Sequence, residues 1–261
     1  MPFSRRNALA YVKEIVTLSG DIGGGKSSVA RILSASLGYP IISAGGMQRE
    51  IAASMGLTTL QLNEQSAKDR SVDDRIDAYT KMLGETRDRI IVDSRLAWHF
   101  IPSAFKVFLT VDPEVGARRV FEASREEEKN QSLQHTIDNN RARRQLEATR
   151  FQALYGIVLR QYSNYDLVVD TSFAAPEQVA AVIEAGLHAR IALQPYARVW
   201  MCPKRLIELP ATGGSSATAA NPVTDVVLTA IDDGQFALVS GRIAAQAALA
   251  AGTALLAATL Q

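Results

Sequence analysis

The sequence predicts an α/β fold: a parallel sheet covered by helices on both faces and topped by a helical lid, followed by a small α+β domain. Three observations carry this. Short β-branched runs alternate with longer helical patterns through the first 187 residues, as they do when helical crossovers join parallel strands. A strongly charged interval from Arg125 to Gln161 breaks the rhythm and has no clear strand of its own. From about His188 the texture shifts to proline- and alanine-rich sequence, which divides the chain into 1–187 and 190–261.

Ile15-Val16-Thr17-Leu18 reads as a buried strand running into a glycine-rich loop. In Ser27 to Leu37 the apolar residues Val29, Ile32, Leu33 and Leu37 fall at helical spacing. Pro40-Ile41-Ile42 is a second short strand, and Met47 to Met55 and Val72 to Leu83 read as helices. Arg89 to Val92 and Lys106 to Val111 are the third and fourth strands. Asp112-Pro113 opens a helix to about Glu122, with proline in its first turn. Asp166 to Val169 is the fifth strand, and a helix runs from about Pro176 to Ala185. The charged interval has arginine at 125, 141, 143, 144, 150 and 160. It reads either as a solvated helical hairpin or as a mobile lid that closes positive charge over phosphates. In the last segment Pro195, Pro203 and Pro210 precede a loop-like stretch, Ala211 to Ser216. Asp232-Asp233-Gly234 between Val223–Ala230 and Gln235–Val239 signals a hairpin.

Composition bounds the function classes. Of 261 residues, 21% are charged and 47% hydrophobic, with a formal net charge of +1. That balance gives no global drive toward nucleic acid or an anionic membrane, so phosphate binding must come from local Lys and Arg clusters. Cys202 stands alone, which excludes an internal disulfide framework and reads as a small buried residue. The polar start from Met1 to Ala8 shows no secretory signal. Ile243 to Leu260 is apolar, but Gln246, Gly252, Thr253 and Thr259 interrupt it, so it reads as packed helix and strand. The expectation is a cytoplasmic protein, monomer or homodimer, with no membrane or nucleic-acid partner.

Gly20-Asp21-Ile22-Gly23-Gly24-Gly25-Lys26-Ser27 fits the pattern G-x-x-x-x-G-K-[ST], with Ser28 just behind it. The glycines let successive N–H groups turn inward as an anion nest, and the helix that follows adds its positive end. Lys26 then reaches the β- and γ-phosphates of ATP, and the Ser27 hydroxyl becomes a ligand for Mg²⁺. The sheet is thereby expected to be of the P-loop NTPase type. No N-K-x-D guanine-reading sequence occurs, and the third strand ends Val92-Asp93-Ser94-Arg95, without a water-activating glutamate beside Asp93. Asp93 either holds a water of the Mg²⁺ shell, orients Arg95, or caps the sheet edge. The arginine-rich lid suits an acceptor that itself bears a phosphate, since fixed guanidinium groups offset the repulsion between two phosphates.

At these residues the chain resembles the nucleoside monophosphate kinases, in particular the cytidylate kinase-like proteins, over about 14–187. The loop with Thr17-Leu18-Ser19 before it and Ser28-Val29-Ala30 after it is similar to the family's strand and phosphate loop. Gly38-Tyr39-Pro40 and Ile42 to Arg49 resemble its acceptor segment, which makes Ser43 and Arg49 acceptor-binding candidates. Arg95 inherits a contact to the acceptor phosphate. Arg143, Glu147 and Arg150, with Tyr155-Gly156 behind them, resemble the lid helix of the shorter, archaeal-type members, whose arginines bridge donor and acceptor. Asp170-Thr171-Ser172 is similar to the loop beside the donor adenine. The resemblance implies phosphorylation of a nucleoside monophosphate, CMP or dCMP first, with Lys26, Arg95, Arg143 and Arg150 as the catalytic set. The alternatives are a kinase of another small acceptor or a nucleotide-binding regulatory protein. Departures are Asp21 where proline is common, Arg144 where many members have aspartate, and Glu126-Glu127-Glu128 after Arg125. Asp74 and Arg75 read either as contacts to the base edge or as an exposed helix face.

The stretch Gly234 to Arg242 and the alanine-rich run after it resemble a ParB/sulfiredoxin-like module. Ile243 and Ala244 follow Arg242 where further basic residues are common, so the module reads as degenerate and structural or regulatory.

Overall fold

The computed structural model describes residues 12–57, 71–123, 132–210, 226–231 and 235–261. The expected loop at Ala211–Ser216, the turn at Asp232–Gly234 and Arg125 with its glutamates lie outside them. Five strands make the first part of the sheet: β1 (Ile15–Gly20), β2 (Ile41–Ser43), β3 (Ile90–Asp93), β4 (Phe105–Thr110) and β5 (Leu167–Asp170). They are parallel neighbours in the order β2-β3-β1-β4-β5. β1 is buried along its whole length, as a central strand with both faces covered requires. Its carboxyl end sits at the switch between chain travelling toward β3 and chain travelling toward β4, where open α/β sheets bind ligands.

Helices α1 (Lys26–Leu37), α2 (Ala44–Ser54) and α3 (Ser71–Thr86) come where the patterns place them, a short α4 (Ala97–Phe100) that no pattern marked follows β3, and α5 (Pro113–Glu122) again comes where expected. Asp112 caps α5 through Oδ1, which accepts from the Glu114 and Val115 amides at 3.0 and 3.2 Å. Among the described residues of the charged interval there is one helix, α6 (Leu133–Tyr155), and no second helix beside it that would make a hairpin. The reason is local. Ser132 caps its start, no glycine or proline intervenes, and Gly156 ends it at φ 68°. α7 (Pro176–Ile191) runs past the expected stop at Ala185.

The C-terminal segment prolongs the same sheet. β6 (Val199–Met201) pairs parallel with β5, β9 (Leu256–Leu260) pairs antiparallel with β6, and β7 (Val227–Ala230) and β8 (Phe236–Ser240) complete a nine-stranded sheet. The antiparallel β7–β8 pair is the hairpin that the Asp-Gly signal marks, and α9 (Arg242–Ala250) with β9 is the expected helix and strand. Between β6 and β7 lies α8 (Pro203–Glu208). Arg242, at the start of α9, donates to the carbonyls of Ile207 and Leu209 and so closes the end of α8.

One core lies between the sheet and α1 and α7, built on Leu18, Leu33, Val107, Leu109 and Ile183. A second, on the opposite face, joins Phe108, Tyr162, Tyr165 and Val168 to Leu206, Leu228, Phe236 and Ala258. Both parts of the chain contribute to it. Among the described residues no helix is long and apolar enough to cross a membrane.

Candidate active site

The phosphate loop hangs between β1 and α1, and its glycines are required by contact. A Cβ on Gly20 (φ +146°) would lie 2.3 Å from the Leu109 carbonyl oxygen, and one on Gly23 (φ +78°) 2.3 Å from that of Gly116. Inside the loop the Gly24 amide donates to the Asp21 carbonyl at 3.1 Å, and the Lys26 amine reaches the same oxygen at 3.5 Å. Lys26 is half-buried. Desolvation first, and the Arg95 guanidinium second, push its pKa down to about 8, against the pull of Asp93, Asp21 and Glu147. An ammonium poised this way gains most when phosphate oxygens arrive.

Ser27 Oγ donates to Asp93 Oδ2 at 3.4 Å, which joins the start of α1 to the end of β3. Burial raises the Asp93 pKa, and Lys26, Ser27 and Arg95 oppose that rise. A hydroxyl and a carboxylate side by side, both oxygen donors, are a fitting pair for Mg²⁺, which takes few protein ligands and keeps its waters. Among the described residues no cluster of three or more His, Cys, Asp or Glu side chains offers a fuller metal site.

Of the acceptor candidates, Ser43 stands in register with Asp93 on the neighbouring strand, and its Oγ accepts from the Gly46 amide at 3.0 Å as the cap of α2. Arg49 is exposed on α2, its guanidinium against the first turn near Gly45 and Gly46. Arg95 reaches the loop, donating to the Gly20 carbonyl at 3.4 Å, and pairs with Glu147 of α6 at 3.0 Å. Arg143 meets the other oxygen of Glu147 at 3.3 Å. Lys26, Ser27 and Ser43 thus gather at Asp93, while Arg95 and Arg143 meet at the Glu147 carboxylate, with the mutual field of Lys26 and Arg95 joining the two groups. Arg150 joins neither. It grips Asp73 of α3 with both carboxylate oxygens at 2.8 and 2.6 Å.

Two arginines that sequence reasoning did not assign hold the loop. Arg160, half-buried, donates to Asp21 Oδ1 through Nε and Nη2 at 3.1 and 2.6 Å, while Asp21 Oδ2 accepts from Thr110 Oγ1 and the Val111 amide, both at 3.2 Å. The Asp21 side chain therefore faces away from the nest, and only its backbone serves it. Arg119 of α5 donates to the Gly23 carbonyl at 3.3 Å and to the Thr171 and Ser172 carbonyls at 2.6 and 3.1 Å. The signal for Arg119 was its place on one helix face with Asp112 and Gly116. Arg160 was marked only as one of the arginines of the charged interval, with nothing to point to its partner, which lies 139 positions away.

A cavity of about 980 Å³ opens beneath α6 and meets the loop at Gly20 and Asp21, with Arg95, Arg141, Arg144 and Arg160 on its walls and Ala230 and Ile231 at its far end. The basic face of the lid helix thus looks into a hollow adjoining the nest.

A family model described as an AAA domain matches residues 16–147. A cytidylate kinase of Natronomonas pharaonis is 36% identical over 177 residues, 67% of this chain and 90% of that protein. The cytidylate kinase of Sulfurisphaera tokodaii is 33% identical over 180 residues, 68% of this chain and 97% of its own. Among solved structures, an uncharacterized protein from Eubacterium ventriosum matches in fold with a TM-score of 0.53 at 15% identity, covering 68% of this chain and 100% of that one. With a phosphate loop at the switch point of a β2-β3-β1-β4-β5 sheet and arginines gathered over it, the chain belongs to the cytidylate kinase family of P-loop kinases.

Proposed function

We propose that the protein transfers the γ-phosphoryl group of ATP to a nucleoside monophosphate, with CMP or dCMP as the preferred acceptor. The observation that carries this is the convergence of Lys26, Arg95 and Arg143 at the carboxyl ends of β1 and β3, beside Ser43. Such a site neutralises two phosphates at once. The relatives named above, cytidylate kinases matched over 90% or more of their length, support the choice of acceptor.

An acceptor phosphate oxygen attacks the γ-phosphorus in line, and the bond from γ-phosphorus to the β–γ bridging oxygen breaks to leave ADP. That oxygen is already an anionic nucleophile, so no strong general base is required. The loop amides and Lys26 hold the donor, and Arg95 and Arg143 hold the acceptor phosphate after exchanging Glu147 for it. Ser27 and Asp93 would hold Mg²⁺, which supplies charge neutralisation to the donor phosphates when bound. Arg150 joins the site only when it leaves Asp73.

Purified protein with ATP and Mg²⁺ is offered CMP, dCMP, UMP, AMP and GMP while ADP release is followed. Turnover with CMP or dCMP at least tenfold above the others, on the order set by one well-placed polar contact to the base, is the expected result. Equal turnover with UMP, AMP or GMP overturns the preference for CMP or dCMP. Tight ATP binding without acceptor-dependent ADP identifies a nucleotide-binding regulatory protein instead.

A further inference from the structure

Arg205, on α8 in the C-terminal segment, is 3% exposed and pairs with the fully buried Asp170 at the end of β5, Nη1 to Oδ1, at 3.0 Å. The same nitrogen lies 3.5 Å from Thr110 Oγ1, and the guanidinium carbon sits 5.2 Å from the centre of the Phe236 ring on β8. Its Nε is buried with no hydrogen-bond partner. A buried, incompletely satisfied ion pair is a poor device for stability, because desolvation offsets most of the attraction. Its geometry points elsewhere.

Asp170 is the template of the turn that follows β5. Its Oδ1 also accepts from the Ser172 amide at 3.1 Å and the Ser172 hydroxyl at 2.5 Å, and its Oδ2 accepts from the Cys202 amide at 3.1 Å. Ser172 Oγ accepts in turn from the Asp112 amide at 2.8 Å, at the cap of α5. The carbonyls of Thr171 and Ser172 are held by Arg119, whose other limb holds the Gly23 carbonyl of the phosphate loop. The peptide after that carbonyl carries the Gly24 N–H that closes the loop on Asp21. One unbroken chain of charge-assisted bonds therefore runs from α8 to the phosphate nest.

We propose that Arg205 is a positioning residue for ATP: by fixing Asp170 it sets the Thr171–Ser172 turn, and through Arg119 it sets the plane of the Gly23 peptide in the nest. The C-terminal segment is then a working part of the donor half-site. This rests on the reading above that the loop holds ATP, and the measurement below separates the two.

Full-length wild type, Arg205→Met and Arg205→Lys are titrated with ATP and Mg²⁺ by calorimetry without acceptor, then assayed for KM of ATP and of acceptor. Arg205→Met is expected to weaken ATP binding roughly fivefold to tenfold, the range of couplings carried by residues that touch neither ligand. Arg205→Lys keeps the charge but loses the planar fork, so a smaller loss of about threefold is expected. In both, KM for ATP rises and KM for the acceptor stays within about twofold, a split that lost stability alone does not produce. If Arg205→Met fails to fold, Arg205→Lys decides. ATP affinity equal to wild type in folded Arg205→Lys overturns the proposal. Failure of wild type to bind ATP overturns the proposal together with the reading beneath it.

Discussion

Lys26 has to present a cation to phosphates from a place that works against its charge. Because burial and Arg95 hold its folded pKa at about 8, below its unfolded value of 10.5, the protonated amine costs stability at neutral pH, and the cost fades as pH rises from about 8 toward 10.5. Lys26→Ala should therefore lower kcat by roughly 100-fold or more, while the thermal midpoint without nucleotide stays equal to or above that of wild type. A variant that loses activity through a lower midpoint would contradict this. Gly116 makes a second residue-scale case, because it stands on α5 behind the phosphate loop, outside the loop itself. A Cβ there would lie 2.7 Å from the Ile22 carbonyl and 3.0 Å from Val111 Cγ1. Gly116→Ala should push on the phosphate loop from behind and weaken ATP binding, at a stability cost of about 1–3 kcal/mol, as overpacking does. Calorimetric titration and thermal melts check both parts. The loop itself was legible in the sequence, because its glycines, Lys26 and Ser27 act within a few positions of one another. The bonds that brace it from Arg119 and Arg160 were not, since a side chain's partner across the fold leaves no trace in its own neighbourhood.

The elements divide in the same way. Strands β1, β3, β4 and β5 are short apolar runs buried nearly throughout, and such runs announce themselves; β2, at the sheet edge and partly exposed, shows mainly through Ile41 and Ile42 after Pro40. By contrast β6 is three residues long between two prolines, and α8 is a single proline-started turn and a half, so neither carries a periodic signal. The lid helix α6 shows what sequence leaves open even where the element is plain. Its arginines were expected over the phosphates, yet Arg150 is tied to Asp73 of α3, and Tyr155 is hydrogen-bonded to Asp77 on the same helix. α6 is thereby moored to α3 along one side. Arg150 is half exposed, so Asp73→Asn should change stability by less than about 0.5 kcal/mol. It should also free Arg150 to meet the acceptor phosphate and lower the acceptor KM severalfold, and Arg150→Ala should raise it. Steady-state kinetics on the two variants decides the matter: equal KM values would make Arg150 a mooring residue and nothing more.

For the whole molecule, the composition change near His188 reads as the start of a separate unit, while the strands beyond it extend one sheet to nine strands. Pairing across β5–β6 and β6–β9 is not visible in a sequence, because β6 and β9 stand more than fifty positions apart. The second core is shared: Phe108, Tyr162 and Val168 pack with Leu206, Phe236 and Ala258. A chain ended at residue 187 would open the β5 edge and strip that apolar face, which invites edge-to-edge association. It is expected to aggregate or to melt well below the full chain, whereas the full chain should unfold in one transition by both far-ultraviolet circular dichroism and Tyr/Trp fluorescence. Two separated transitions would show that 190–261 folds apart.

Cys202 lies at the seam between these parts, 1% exposed, with its amide on Asp170 and its thiol directed at the Asp170 carbonyl at 3.4 Å. Burial first, then the nearby carboxylate, raise its pKa far above that of a free thiol, so the closed molecule offers almost no thiolate. It is also the chain's one cysteine. A colourless-to-yellow disulfide reagent added to the intact protein would thus act as a stopwatch: its rate counts how often the β5–β6 seam parts, and ATP, if it tightens the turn beside that seam, should slow the clock.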